Sequence, residues 1–543
     1  MTILLPETES ILAAPAPTKP GPAHAVHVSF RSGVVAAFEP DGRVRLDLAG
    51  RPVVRLNGLS PSSAAALASW QWEGTADGGR SAPRPVPPPD RLASAELSGL
   101  RQRLGGLTAW AAWGDRGPSL VLESTDRVPT PAPNPVPDTA VVRLSRFAIT
   151  RRRDDHVVLE SPLARARAVL VDPAWGQVLA GLGAGTAVGA LVAQRAEPAV
   201  WRAGVDLLVG AGLLDIAATD GRLGSDSPAA HYPVDDDPVL RQWELPDLYF
   251  HSRSRLGRTD EPFGGVFPFR GELDPLPAVR PHHEGPVIEL PTPDYDDIQR
   301  RDPSLLTVME GRRSTRTFGS EPLTVTSLAE LLYRSARVRG TYGPHPEAGL
   351  PYPASSRPYP CGGAGYELEF YLTVRRVEGL EPGSYHYEAD THRLRRLGTS
   401  AEERGALLQM ASTSAGGGVD PDVLVTITSR FQRLSWKYRS IAYAVTLKHV
   451  GVVYQTLYLV ATAMGIGACG LGSGDSDVAA QAFGLDYLQE TSVGEFILGS
   501  LPTSVDLTSE RGGAAPRPAY IPSWSDGLHP EWYRRAAAEL RER

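Results

Sequence analysis

The chain has 543 residues, 42% of them apolar and 22% charged, the balance of a globular protein with room for several cores. Its net charge of −7 gives no overall electrostatic footprint for nucleic acid. Its two cysteines, Cys361 and Cys469, exclude a disulfide framework and any Cys/His cluster with metal-ligand spacing, so no metal site is expected. The start lacks a basic segment leading into an apolar core, and nowhere do 18 apolar residues run together, so a cytoplasmic chain without signal peptide or membrane span is expected.

In chain order, residues 1–22 are rich in proline and alanine and read as a flexible tail. Residues 23–138 read as a small N-terminal α+β domain. Val26, Val28 and Phe30, then Val44, Leu46 and Leu48, alternate with polar positions on either side of a turn at 40–42. Helices are expected at 61–70 and 91–104, separated by a stiff proline-rich connection at 83–89. The alternating prolines of 129–137 favour an extended linker and a domain boundary. Residues 139–240 read as a winged-helix-like domain, with strands at 141–150 and 157–160, helices near 173–183, 186–194 and 198–211, and a hairpin-like end at 220–221. Arg151, Arg152 and Arg153 read as a solvated turn, not a nucleic-acid site. The connection 222–300 contains Arg253, Arg255, Arg258 and Arg270. Sequence leaves two roles open for them, a salt-bridged surface or a phosphate contact.

From residue 300 onwards the pattern becomes specific. Residues 311–318 read GRRSTRTF. Guanidinium forks at Arg312, Arg313 and Arg316, with the hydroxyl of Ser314, suit a dianionic phosphate. In RPYPCGGAGYELEFYL (357–372), Gly362 and Gly363 let the backbone approach a flat ligand closely. Residues 379–388, GLEPGSYHYE, look like one arm of a hairpin. Only three of the 55 lysines and arginines are lysines, Lys19, Lys437 and Lys448. An ammonium, unlike a guanidinium, can give up its proton when desolvated, so Lys437 is a candidate base. It and Tyr438 precede an apolar-rich stretch, 441–464, read as a long helix in a core or subunit interface. That helix leads to MGIGACGLG (464–472). Trp436 reads as a wall for a ligand or as packing, His386, His392 and His449 as structural, and Cys469 as a small core residue. Asp475 and Asp477 are read as caps of the next helix.

Taken in order, GRRSTRTF, RPYPCGGAGYELEFYL, GLEPGSYHYE, SWKYRSIAY and MGIGACGLG resemble the motifs of the SagB-type azoline dehydrogenases, nitroreductase-fold FMN oxidoreductases. The resemblance covers about residues 240–505, with a further likeness near 143–162. It implies an α+β fold, with a C-terminal nitroreductase-like FMN domain at 241–543 preceded by the two small α/β-mixed domains, and FMN bound at the interface of a homodimer. It also implies that Arg312, Ser314 and Arg316 hold the FMN phosphate with Arg313 as helper. Pro360, Cys361, Gly362 and Gly363 would flank the isoalloxazine ring on one side, with Gly470, Leu471 and Gly472 on the other. Lys437 and Tyr438 match the pair used for proton removal. Two departures stand out: Cys361 occupies a position usually held by serine, and Tyr366-Glu367 one usually held by His-Pro. The second puts the cleft wall and the substrate in question.

The implied reaction oxidises thiazolines or oxazolines of a ribosomally made precursor peptide to thiazoles or oxazoles, alongside a cyclodehydratase. No Gly-rich strand–turn–helix for NAD(P)H is present, so O₂ is the expected final acceptor. Two other functions remain in view at this stage, an NAD(P)H-dependent reductase of small molecules and a non-catalytic scaffold of a peptide-modifying complex.

Overall fold

The computed structural model describes residues 2–3, 26–31, 34–39, 43–48, 51–57, 59–60, 63–64, 67–68, 94–126, 128–218, 231–502 and 530–542. Most of the expected tail at 1–22, the turn at 40–42, the connection at 83–89 and the end at 220–221 lie outside these residues. The chain forms two compact units, Met1–Glu261 and Pro262–Arg543.

In the first unit, six strands share one sheet in the order Val26–Phe30, Thr108–Gly114, Gly117–Ser124, Ala166–Leu170, His156–Glu160 and Ile149–Arg153. The boundary expected at 138 therefore falls inside a sheet, since Ser124 to Leu120 pair with Ala166 to Leu170 across it. The proline-rich stretch 129–137 is docked on the unit. Thr130 and Val136 are buried, and the Asn134 and Val136 N–H groups donate to the carbonyl and carboxylate of Asp206. Prolines remove donors without preventing an extended chain from packing. The unit also continues past the break expected at 240, ending at Glu261.

Three helices form where expected, at Ala174–Gly181, Val188–Ala193 and Pro198–Gly210. They close over Trp175, whose ring centroid lies 4.4 Å from that of Trp201. Gly204 admits that indole, because a Cβ there would sit 2.3 Å from it. The expected solvated turn at Arg151–Arg153 is instead part of a strand. Arg151 pairs with Glu160, and Arg153 with Asp260 and Glu261. Burial alone would raise the Asp260 carboxyl, but the guanidinium groups of Arg167, Arg31 and Arg153 hold it well below the usual range. Of the two roles left open for the later arginines, Arg253 takes the first, while Arg258 is held by main-chain carbonyls. Arg253 pairs with Glu160 at 3.2 Å, and Arg258 donates to the Leu163 carbonyl at 3.0 Å.

The second unit is built on a seven-stranded antiparallel sheet. Its order is Val287–Glu289, Arg393–Arg396, Gly383–Glu388, Leu368–Val374, Val423–Arg430, Glu490–Ser500 and Ile466–Gly470. Strict alternation sends Leu368, Phe370, Leu372 and Val374, with Val423, Val425 and Ile427, into one core. That core is covered by the helices Val325–Ala336 and Ala442–Ala463. Thr446, Val450, Val453, Leu457 and Ala461 form the buried stripe of the second helix, and burying Leu457 alone stabilises the unit by about 1.5–3 kcal/mol. The helix Ser476–Phe483 begins at Asp475, whose carboxylate accepts from the N–H groups of Asp477 and Val478. Asp475 is thus a cap as expected, while Asp477 lies within the helix. Among the described residues no helix is long and apolar enough to cross a membrane.

Candidate functional site

The arginine-rich segment follows a short helix, Leu305–Gly311, capped at its start by Ser304. The chain then runs beside the edge strand Ile466–Gly470, with the Thr315 N–H donating to the Ala468 carbonyl at 2.8 Å. Ser314 Oγ lies 2.8 Å from the Tyr458 hydroxyl, which also accepts from the Gly470 N–H at 2.7 Å. One phenol thus ties the arginine segment, the long helix and the glycine turn together. The Arg312 guanidinium lies 5.0 Å from the same ring. Among the described residues Arg312, Arg313 and Arg316 pair with no carboxylate, although arginines elsewhere in the chain are extensively paired. The Arg316 Nε is buried without a hydrogen-bond partner. A buried unpaired donor among uncompensated positive charges fits an anion.

The glycine loop lies against the same helix, nine residues upstream of Tyr458. The Gly362 N–H donates to His449 Nε2 at 2.8 Å, and His449 Nδ1 is 2.8 Å from Glu367 Oε1. An amide can only donate, so Nε2 carries the lone pair and the ring proton sits on Nδ1, facing Glu367. His449, expected to be structural and without a partner, therefore anchors the loop. Glu367, half of the Tyr366-Glu367 departure from the family pattern, supplies its counterpart. Tyr366, the other half of that pair, donates its hydroxyl to the Tyr359 carbonyl. Cys361 Sγ accepts from the Tyr366 N–H at 3.0 Å, and burial, reinforced by Glu367, pushes the thiol up to about 12. Cys361, Glu367 and His449 offer ligand atoms within 4.8 Å of one another. The tautomer that holds Gly362 leaves no lone pair on Nδ1, so this is a hydrogen-bonded cluster and not a ready metal site.

Lys437 follows the strand Val423–Arg430 and the short helical turn Gln432–Ser435. Its segment is clasped by the extended strap that runs from residue 262 to the strand Val287–Glu289. The Lys437 carbonyl accepts from the N–H groups of Val266 and Phe267 at 3.0 and 3.1 Å. Trp436 donates to the Leu273 carbonyl at 2.7 Å, Arg433 to that of Leu276 at 2.6 Å, and Arg430 to that of Pro277 at 3.0 Å. The Lys437 ammonium nitrogen bonds to the Tyr352 hydroxyl and lies 3.4 Å from the Gly363 carbonyl oxygen. It also sits 5.1 Å from the centre of the Tyr438 ring. Lys437 and Tyr438 are half-buried and Gly363 is exposed, so the amine stands at the mouth of the loop.

The two glycines differ in how closely they are approached, and Gly363 has no room for a side chain. A Cβ on Gly362 would lie 3.4 Å from the Tyr438 hydroxyl, and one on Gly363, whose φ is +60°, would lie 1.7 Å from Lys437 Nζ. Because Nζ ends a flexible side chain, a methyl group at this position displaces the amine more readily than it unfolds the loop. Gly363→Ala is therefore expected to keep its Tm within about 5 °C while losing turnover by more than about tenfold. Unchanged turnover would refute this close approach.

The structure brings Lys437, Tyr438, Cys361, Gly362 and Gly363 into one cluster, and Arg312, Ser314 and Gly470 into a second. His449 and Tyr458 hold these clusters from one helix, about 13 Å apart at about 1.5 Å per residue. That separation suits a ligand with a flat ring at one end and a phosphate at the other. Pro360 is exposed at the start of the loop, Leu471 is buried with its N–H on the Glu495 carbonyl, and Gly472 is open to solvent. Tyr352 and Tyr458 were not singled out from sequence, and Glu367 stood out only as part of a departure from the family pattern. For Tyr458 and His449 a signal existed, since both are polar interruptions on the inward side of an apolar helix. Tyr352 lies in a connecting loop without periodicity and gave none.

Residues 309–500 match the nitroreductase family, and residues 142–260 match the cyanobactin oxidase ThcOx family. A putative nitroreductase, MJ1384 of Methanocaldococcus jannaschii, is 30% identical over 189 residues, covering 35% of this chain and 86% of that protein. The trifolitoxin-processing protein TfxB of Rhizobium leguminosarum bv. trifolii is 28% identical over 140 residues, covering 25% of this chain and 38% of that protein. Among solved structures, the E. coli microcin synthetase McbBCD complex with truncated pro-MccB17 bound is similar at 19% identity and a TM-score of 0.29. It covers 47% of this chain and 86% of its own.

Proposed function

The chain belongs to the nitroreductase family and is an oxidoreductase, and from that premise we propose that it is an FMN-dependent dehydrogenase oxidising azolines of a ribosomally made peptide to azoles. The observation that carries this reading is the amine of Lys437 held at the mouth of the Cys361–Gly363 loop. A family member that only shuttles electrons to small acceptors has no need of a lysine in this position. The likeness of residues 142–260 to a cyanobactin oxidase and the match to TfxB, a trifolitoxin-processing protein, are the comparisons that favour a natural-product peptide as substrate.

The residues present fit FMN. Arg312, Arg316 and Ser314 would hold the phosphate, with Arg313 as helper, and Cys361–Gly363 would flank the ring, while Gly470, tied to Ser314 through the Tyr458 hydroxyl, would lie with the turn 470–472 towards the phosphate end instead of across the ring. When bound, FMN supplies the acceptor for the hydride leaving one ring carbon of the azoline. The protein's own task is the proton on the adjacent carbon. Lys437 Nζ takes it, the Tyr438 ring walls the amine, and the strap fixes the lysine backbone. Such a placed base contributes about 10²–10⁴-fold, and the product gains an aromatic ring.

A second copy of the chain is the proposed cover for an apolar surface on two adjacent helices. Leu305, Leu306 and Met309 are exposed on one, and Tyr443 and Leu447 on the other. A cyclodehydratase that makes the azoline is the proposed functional partner.

The test is co-expression with a precursor peptide and its cyclodehydratase, followed by mass spectrometry. Each azoline should lose two hydrogens when this protein is present. Intact azolines in the presence of flavin-loaded protein, together with rapid anaerobic bleaching by NADPH, would replace the proposal with a small-molecule reductase. Absence of flavin would replace it with a scaffold.

A further inference from the structure

Tyr352 has no role in the scheme above, yet its hydroxyl bonds both to the glycine loop and to the amine of Lys437. Its hydroxyl donates to the Gly363 carbonyl at 2.6 Å. A phenol has one hydrogen, and here that hydrogen is committed, so the oxygen presents only lone pairs to Lys437. The bond between them therefore runs from the amine to the phenol. Burial raises the Tyr352 hydroxyl above its ordinary value, which keeps it a neutral acceptor with a fixed proton.

The phenol is itself buried among aromatic rings. Tyr352 is 5% exposed, and its ring centre lies 6.1 Å from that of Phe267 and 6.3 Å from that of Trp436. Trp436 is in turn pinned to the strap through its indole N–H. The loop ends in the strand Ala354–Ser356, paired with Gly340–Tyr342. The next residue, Pro353, offers its carbonyl to Arg433 at 3.0 Å.

The uncharged amine that can accept a proton has two N–H bonds and one lone pair. Two acceptors stand beside Nζ, the Tyr352 oxygen and the Gly363 carbonyl oxygen. If each takes one N–H, the lone pair is left on the tetrahedral corner that faces away from the loop. We infer that Tyr352 is the positioning residue of the proposed base: it does not touch the azoline but orients the Lys437 lone pair towards it. The inference deepens the proposed function and rests on that reading.

Two measurements test it. The first compares wild type with Tyr352→Phe on an azoline peptide deuterated at the carbon that loses its proton, or at the carbon that loses its hydride. The variant should keep its flavin, its Tm and its KM, while kcat falls by up to about 100-fold. The isotope effect should rise at the proton-losing carbon only. A wild-type kcat, or a loss explained by lost flavin or a lowered Tm, overturns the inference. The second measurement needs no substrate. With only three lysines in the chain, protein labelled with 13C at lysine Cε gives three resolvable NMR signals. Lys437 should be rigid in wild type and should become as mobile as exposed Lys448 in Tyr352→Phe. Equal mobility of Lys437 in both proteins overturns the inference even if the peptide reaction itself is never observed. A rigid, phenol-dependent Lys437 in a protein that leaves azolines intact would count against the functional reading alone.

Discussion

Replacing Lys437 by alanine is expected to leave a yellow, flavin-loaded protein that turns azoline peptides over about 10²–10⁴-fold more slowly than wild type. Flavin retention is expected because Arg312, Ser314 and Arg316, the proposed phosphate holders, make none of their bonds through Lys437. The fold is expected to survive as well, since the strap grips the Lys437 carbonyl and not its side chain. Lys437→Arg separates charge from basicity: a guanidinium keeps the positive charge but cannot act as a base. It should be as inactive as the alanine variant. Full activity in the alanine variant would remove Lys437 from the chemistry, and activity in the arginine variant alone would recast it as an electrostatic residue. Absorbance spectra of the purified variants and single-turnover product analysis distinguish these outcomes.

The second large effect is on flavin retention. In the double variant Arg312→Ala/Arg316→Ala the protein should purify colourless. Each charge-assisted hydrogen bond contributes about 1.5–3 kcal/mol, so loss of two should weaken FMN binding by about 10²–10⁴-fold. No other described cation beside Ser314 is unpaired except Arg313, so Arg313→Ala is expected to cause a smaller loss. In wild type, raising the salt concentration should weaken binding less than it would for a surface ion pair, because Arg316 is partly buried. A double variant that elutes with stoichiometric flavin would show that the segment holds no phosphate. Fluorescence titration of apoprotein with FMN gives the affinities directly.

Much of this site was legible because its parts carry local chemical signatures. Three arginines and a serine in five residues, a Gly-Gly pair before a strand, and a lysine in a chain that otherwise uses arginine can each be recognised without tertiary knowledge. The long helix was legible from its apolar content, and three helices of the first unit from their spacing. The remainder was set by long-range contacts. Tyr352 meets Lys437 across 85 positions of sequence, and no local pattern reports that meeting. His449 looked unpartnered because Glu367 lies 82 positions away. The proline-rich stretch at 129–137 read as a linker because its composition resembles one, yet Asp206 and the surrounding core hold it in place. Arg151 and Arg153 read as a solvated turn because their acidic partners come from other elements.

The strap across the Lys437 segment holds it with main-chain atoms: the N–H groups of Val266 and Phe267, and the carbonyls of Leu273, Leu276 and Pro277. Such a clasp is largely indifferent to which side chains the strap carries, so the rim beside the lysine can drift in sequence without loosening it. Phe263, Phe269 and Leu273 are exposed along that rim and are open to replacement, in evolution or in a library, as a means of changing which substrates the proposed base meets. Proline is the exception at positions 266 and 267, where loss of the N–H would open the clasp itself.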